Sequence, residues 1–407
     1  MEQNLYVGIF TSLIYSLLVL GILQYILFQK SSSKIYWTYF LYVSLATIYY
    51  FLNLSLVPDF KGFTGGFRVG TDDCRFFSQI VDVSYRLPNH CYALTQKHSF
   101  SIFIDLLFPF EVYHPLQIII FNVIGITLIP FLGEKIYFYF FENEKTKRRL
   151  IFYILLLSPS ILANGLIIMR EGWIVQFFLV FIYCILYCKS KIILLVSFLL
   201  LVFLRPSFIV FPVLFYLINK YYGRKYFYLR ILLPMMVIIP LMSYVLYISD
   251  NINVLENLTR DSYVDSFLTK FEDESIYYKI WQYPFPLNVI LSFIFFYFSP
   301  FLSFNFYHNN IFLIRNVFSL VESIIMIVLI PVSTVRIFKN WYQTNNRKIF
   351  LFVSFSILVL STLSLQFRHK IIVIPLLYIL FLHNFDYKKG YFLLIPIYFI
   401  LQVIIIT

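Results

Sequence analysis

The chain has 407 residues, of which 60% are hydrophobic, 21% aromatic and only 13% charged. Apolar runs of about twenty residues recur from end to end without strict alternation, which selects membrane-spanning α-helices and excludes a β-barrel. The polar stretches leave no room for a soluble domain of any size. The net charge of +12 does not point to nucleic acid, because most Lys and Arg flank apolar runs in short clusters, the positive-inside pattern.

Those clusters are Lys30/Lys34, Lys145–Arg149, Lys189/Lys191, Lys220–Arg230, Arg336–Lys348 and Lys388/Lys389. Placing all of them in the cytoplasm fixes a topology by parity. The first run, Tyr6–Phe28, lacks a basic leader and a small-residue cleavage site, so it reads as a retained helix running inward. Ile35–Val57 runs outward, and residues 58–114 form a first outer loop. Leu116–Leu132 returns inward, Leu150–Met169 goes out and Gly172–Cys188 comes back.

Lys189/Lys191 and Lys220/Arg224/Lys225 must then share a side although they are close in sequence. The chain therefore goes in and back out on two short arms, Ile192–Leu204 and Ser207–Ile218, with Arg205-Pro206 at the tip. Proline breaks the helix there and steers Arg205 out of the α region. Each arm, at about 1.5 Å per residue, is short of the roughly 30 Å hydrocarbon core. Ile231–Ile248 goes out, and residues 249–286 form a second outer loop. Leu287–Phe304 dips without crossing and breaks at Ser299-Pro300. Asn316–Val335, Ile349–Phe367, Ile371–His383 and Tyr391–Thr407 complete the chain. The expected fold is all-α: one polytopic transmembrane domain, residues 1–407, with about 11–13 transmembrane or re-entrant helices.

Three arginines, Arg170, Arg205 and Arg368, interrupt long apolar runs and fall on the outer side of this topology. A guanidinium stays charged at physiological pH, and placing it near hydrocarbon costs about 2.5–3.5 kcal/mol on insertion scales. Three such positions imply that an anion is held close to the bilayer. Glu171, His369 and Lys370 accompany them.

The first outer loop carries Gly65-Gly66, then Thr71-Asp72-Asp73-Cys74, then Phe76, Phe77, Ile80 and Val81 at helical spacing. This suggests a short amphipathic helix on the membrane surface, with Thr71 or Asp72 as its cap. Asp72 or Asp73 is a candidate general base or metal ligand, and a cap alone is the plainer reading. Cys74 and Cys91 are the cysteines of the outer loops and can pair in an oxidising compartment. Cys184 and Cys188 read as packing residues, and the six histidines lack metal-ligand spacing on a helix. In the second outer loop, Tyr277, Tyr278 and Trp281 suit the faces of sugar rings or an interfacial aromatic belt.

In order and sidedness, Asp72-Asp73, Pro159-Ser160…Met169-Arg170-Glu171, Phe203-Leu204-Arg205-Pro206, Phe298-Ser299-Pro300-Phe301 and Arg368-His369-Lys370…Pro375 form a pattern. It resembles bacterial O-antigen and exopolysaccharide repeat-unit polymerases and the related lipid-carrier-dependent glycosyltransferases of the GT-C class. The large outer loop and the arginine-rich signature of many O-antigen polymerases are missing. The resemblance implies a GT-C-like fold in a bacterial inner membrane and an undecaprenyl-diphosphate-linked oligosaccharide as substrate. It also implies outer arginines on the pyrophosphate, catalysis by an acid of the first loop, no cofactor, and a chain-length regulator as a possible partner. Two alternatives stay open. One is a GT-C transferase using a polyprenyl-phosphate sugar, for which a divalent metal is conceivable. The other is a flippase for the same lipid-linked sugar, which predicts two similar halves, whereas the sequence shows no internal repeat, and charges buried mid-membrane.

Overall fold

Helix follows helix along this chain, interrupted where a proline or a polar corner stops it. The computed structural model describes residues 2–30, 32–56, 58, 61–63, 72–81, 97–142, 144–226, 280, 283–284, 287–301, 304, 306–308, 311–312, 314–363, 367–385 and 394–406. The expected span Ile231–Ile248 and nearly all of the loop 249–286 lie outside the described residues, Tyr277, Tyr278 and Trp281 included.

Long helices α1 (Glu2–Phe28) and α2 (Ser33–Leu56) open the fold, followed by short α3 (Asp72–Ser78) and α4 (Ser99–Leu107). Next come α5 (Pro115–Asn122), α6 (Ile124–Thr127) and α7 (Ile129–Phe140), one segment interrupted at Val123 and Leu128. Gln176 Oε1 accepts the Leu128 N–H at 3.2 Å, satisfying a backbone donor at the second interruption. Four segments are long and apolar enough to cross a membrane: Tyr6–Phe28, Ser33–Leu56, Pro115–Phe140 and Ile314–Lys339. The first is only 17% buried and turns Tyr6, Phe10, Ile14, Leu18 and Ile22 outward at four-residue spacing, an exposed apolar stripe. The third is 94% buried and forms the centre of the molecule.

The remaining helices are shorter. The run expected to cross from Leu150 to Met169 is instead split into α8 (Lys145–Leu156) and α9 (Pro159–Gly165). Pro159 disfavours the α region for Ser158, which sits at φ −57°, ψ 116°. Then follow α10 (Glu171–Leu186), α11 (Lys191–Leu204), a 3-10 turn over Pro206–Ile209, and α12 (Val210–Tyr221). The two short arms around Arg205 are thus present. Helix α13 (Leu287–Phe298) ends at the Ser299-Pro300 break, and a two-residue β ladder pairs Tyr307–His308 with Ile311–Phe312. The chain closes with α14 (Ile314–Lys339), α15 (Thr344–Leu363), a 3-10 turn over Phe367–Ile372, α16 (Ile374–Asn384) and α17 (Leu394–Ile406).

Among the described residues, basic clusters from several loops gather at one end of the bundle. Lys147 Nζ donates to His383 O at 2.6 Å, Asn345 Nδ2 to Phe140 O at 2.8 Å, and Asn340 Nδ2 to Asn384 Oδ1 at 3.3 Å. Arg347 and Lys348 lie over the Tyr222 ring at 5.7 and 5.8 Å. Tyr187 OH donates to Lys135 O at 2.8 Å, bringing the Lys189 turn to the same end. This is the grouping that charge parity requires, and it leaves Arg170, Arg205 and Arg315 at the opposite ends of their helices.

The first outer loop departs from the surface-helix expectation. On α3, Cys74, Phe76 and Phe77 are buried inside the protein. Phe77 packs on Phe63 at 5.4 Å, and Phe76 packs on Phe100 of α4 at 5.1 Å. Helix α4 itself inserts, with Phe103 edge-on to Trp173 at 5.2 Å and to Phe177 at 6.0 Å. The apolar face that suggested a lipid surface is used against aromatic partners from the bundle, a contact no local pattern reveals.

Small residues let the central helices approach closely, as they do in membrane helix bundles. A Cβ on Gly165 would lie 2.3 Å from Ile126 Cγ2, and one on Gly172 2.7 Å from the same atom. Gly172→Ala is therefore expected to destabilise the bundle by about 1–3 kcal/mol, the usual range for overpacking. A thermal midpoint in detergent equal to that of the parent protein would contradict this close approach.

Candidate functional site

The turn before α10 is stitched from inside the bundle. Asn122 Nδ2 donates to Ile167 O at 2.5 Å and to Met169 O at 3.1 Å, while its Oδ1 accepts from Trp173 Nε1 at 2.8 Å. This fixes the backbone that carries Arg170 and Glu171. Arg170 Nη1 donates to Leu204 O at 3.1 Å, so the Arg170 turn and the Arg205 tip form one corner. His98, at the start of α4, joins it with Nε2 at 2.9 Å from Arg170 Nη1. A guanidinium has only donors, so His98 Nε2 accepts.

Arg205 follows the last residue of α11 with an extended backbone at φ −155°, ψ 93°, as the following proline dictates. Its Nη1 lies 3.9 Å from Glu171 Oε1 and its Cζ 4.6 Å from the Phe208 ring centroid. Its Nη2 hydrogen-bonds His369 Nε2, which must accept and is therefore unprotonated at that atom. Glu171 is 2% exposed, and its Oε2 has no hydrogen-bond partner among the described residues. A buried carboxylate oxygen left over beside the Arg205 guanidinium suits a site built to receive a further polar group.

The structure thus brings Arg170, Glu171, Arg205 and His369 together. It does not bring Lys370 to them. The Lys370 ammonium donates to Phe296 O at 2.6 Å, Tyr297 O at 3.2 Å and Ser299 O at 2.7 Å, closing the carbonyl end of α13. Its three donors serve the backbone, and this is a correction to the expectation that it grips pyrophosphate. The reason is geometric: in a 3-10 turn neighbouring side chains diverge by about 120°, so His369 and Lys370 face different partners. Arg368 stands in the same turn, but its side chain lies outside the described ones.

Of the two aspartates, Asp73 is 2% exposed, with its Oδ1 at 2.9 Å from Cys74 N. Asp72 begins α3, and its side chain lies outside the described ones. Cys74 is disulfide-bonded, whereas Cys184 and Cys188 are free. Cys91, its expected partner, lies outside the described residues.

Two charged residues absent from the sequence expectations stand out on α14. Arg315 Nη2 donates to Asn164 Oδ1 at 3.1 Å and lines a cavity of about 170 Å³ with Ser160, Asn164, Phe318, Ser319 and Ile371. Tyr49, packed on Phe318 at 5.7 Å, lies within electrostatic reach of both Arg315 and Asp73, which relates the acidic loop to this cavity. Seven residues along α14, Glu322 is fully buried. Its Oε1 accepts from Tyr378 OH at 2.7 Å, its Oε2 accepts from Ser160 N at 3.2 Å, and Lys370 contributes to its field. Both residues interrupt an apolar run, the signal that singled out the other arginines.

Removing the Glu322 carboxylate would leave the Tyr378 hydroxyl and the Ser160 N–H without their acceptor. Glu322→Ala is expected to destabilise the protein by about 3–5 kcal/mol, the cost of breaking a buried charged network. Retention of the parental melting temperature would show that the network is not structural.

Among the described residues, no group of three His, Cys, Asp or Glu side chains is placed to hold a metal ion. Comparison of the chain with family models, curated proteins and solved structures gives no match.

Proposed function

We propose that this protein is a glycosyltransferase of the repeat-unit polymerase kind, joining undecaprenyl-diphosphate-linked oligosaccharides at the outer face of a bacterial inner membrane. The proposal includes a multi-pass, GT-C-like arrangement. The observation that carries it is the shared corner of Arg170 and Arg205, with Glu171 and His369, at the end of the bundle opposite the basic loops. A sugar diphosphate has a good leaving group, so no protein acid is needed on the departing oxygen. What transfer needs is charge stabilisation of the leaving diphosphate, which guanidiniums supply through paired N–H donors.

In the proposed step, an acceptor hydroxyl oxygen forms a bond to the anomeric carbon. The bond from that carbon to the phosphate oxygen breaks, and its electron pair stays on the lipid diphosphate. The hydroxyl proton passes to a carboxylate. Asp73 is the assigned base, its side chain being buried and within electrostatic reach of Tyr49.

The second reading, a flippase, draws support from Glu322 and Lys370, two buried charges on helices of the bundle. Deleting the gene and resolving surface glycan on a gel separates the two. A product stopped at one repeat supports the polymerase. Loss of every surface repeat favours the flippase, and a truncated repeat favours single-sugar transfer.

A further inference from the structure

We infer that the cavity beside Arg315 is an oxyanion pocket, apart from the Arg170–Arg205 corner, that takes one phosphate or carboxylate group of the lipid-linked substrate. The substrate class rests on the reading above; the pocket itself rests on its own residues.

Arg315 differs from Arg205 in its company. Arg205 has the Glu171 carboxylate at 3.9 Å and the His369 ring as an acceptor. Arg315 has the neutral Asn164 amide, and among the described residues no carboxylate stands within ion-pair distance of it. Asn164 is itself held, since its Nδ2 donates to Ser160 O at 2.8 Å and so aims Oδ1 at the guanidinium. Among the described residues the cation is therefore positioned by a neutral amide rather than by a paired carboxylate, and its fork can also donate to a ligand.

The surroundings match an anion of limited size. The cavity, about 170 Å³, far exceeds the roughly 10–15 Å³ that one water needs. It is smaller than the roughly 300–1,000 Å³ of a pocket for a whole drug-sized ligand. It accommodates one head group rather than an oligosaccharide. Ser319 of α14 adds a hydroxyl to the lining, which Asn316 and Ser160 share. Arg315 lies in the first turn of the 26-residue α14, whose positive dipole end reinforces the guanidinium. Phe318, Ile371 and Ile374 form apolar walls that lower the local dielectric. On the other side of α14, Val317, Val321 and Ile324 are exposed, an apolar face beside which a lipid-borne anion can lie.

The anion has two possible sources, the carrier diphosphate or an acidic sugar, and the test has an arm for each. Full-length protein in nanodiscs of neutral phosphatidylcholine is titrated with farnesyl diphosphate, and separately with a disaccharide ending in glucuronic acid. At least one probe should bind, and Arg315→Gln should weaken that binding by about tenfold or more, as expected on losing a charge-assisted contact. Ser319→Leu, which fills the cavity and spares the charge, should weaken it as well and guards against a folding failure of Arg315→Gln. A farnesyl diphosphate response identifies the carrier, and a glucuronate response identifies an acidic sugar. The pocket is overturned if neither probe binds the parent protein, or if binding is equal in both variants. Loss confined to Arg205→Gln overturns the pocket and leaves the polymerase reading intact. Arg315-dependent binding with normal glycan in Arg315→Gln cells leaves the pocket intact and removes it from polymerisation.

Discussion

Arg205→Lys is expected to abolish long surface glycan while leaving the protein in the membrane. The guanidinium serves several partners at once: Nη2 on His369, Nη1 towards Glu171, and its plane on Phe208. An ammonium is a compact point charge and cannot reproduce that planar fork or its stacking. Each charge-assisted hydrogen bond lost is worth about 1.5–3 kcal/mol, which corresponds to about tenfold or more in rate if the bond is made to the departing diphosphate. Glycan chain lengths like those of the parent strain, with normal protein levels, would contradict the assignment.

The second large effect is expected at the acidic pair. Asp73→Asn should eliminate polymer, and Asp72→Asn should not. Asp73 is buried and lies on the Tyr49 side of the loop. An asparagine of the same size there keeps an acceptor oxygen but cannot take a proton, so packing survives and base catalysis does not. General-base catalysis is worth about 10²–10⁴-fold, enough to reduce a ladder of repeats to its first rung on a gel. Full activity of Asp73→Asn would remove the base.

Much of the site was legible in the sequence because breaking a membrane helix leaves strong marks. Pro206 after Arg205 ends a helix where the sequence says it should, whereas Pro159 splits a run, Leu150–Met169, that the sequence reading takes as one crossing. The requirement that basic loops share a side forced two short arms between Lys191 and Tyr221, and those arms exist. Other features left weaker marks. Arg315 sits one residue before the Asn316–Val335 run within a longer apolar stretch, and nothing in its local spacing shows that it lines a cavity. Glu322 is a single carboxylate in a long apolar helix, and its partners come from residues 160 and 378, which no local spacing connects. Lys370 was grouped with Arg368 and His369 because three basic residues in a row suggest a common purpose, and a 3-10 turn separates them. Helix α4 has only nine residues, too few for its burial to show as a hydropathy run.

The residues meeting at the Arg205 corner also set an order of events during synthesis. Glu171 is only 34 positions upstream, so the ribosome delivers it before Arg205 and the two can meet as soon as the α10–α11 hairpin forms. His369 comes 164 residues later. For much of translation, then, the nascent chain holds this guanidinium near Glu171 before the His369 ring exists. A chain arrested before residue 369 should lack that contact and be cut more readily at this corner by quality-control proteases.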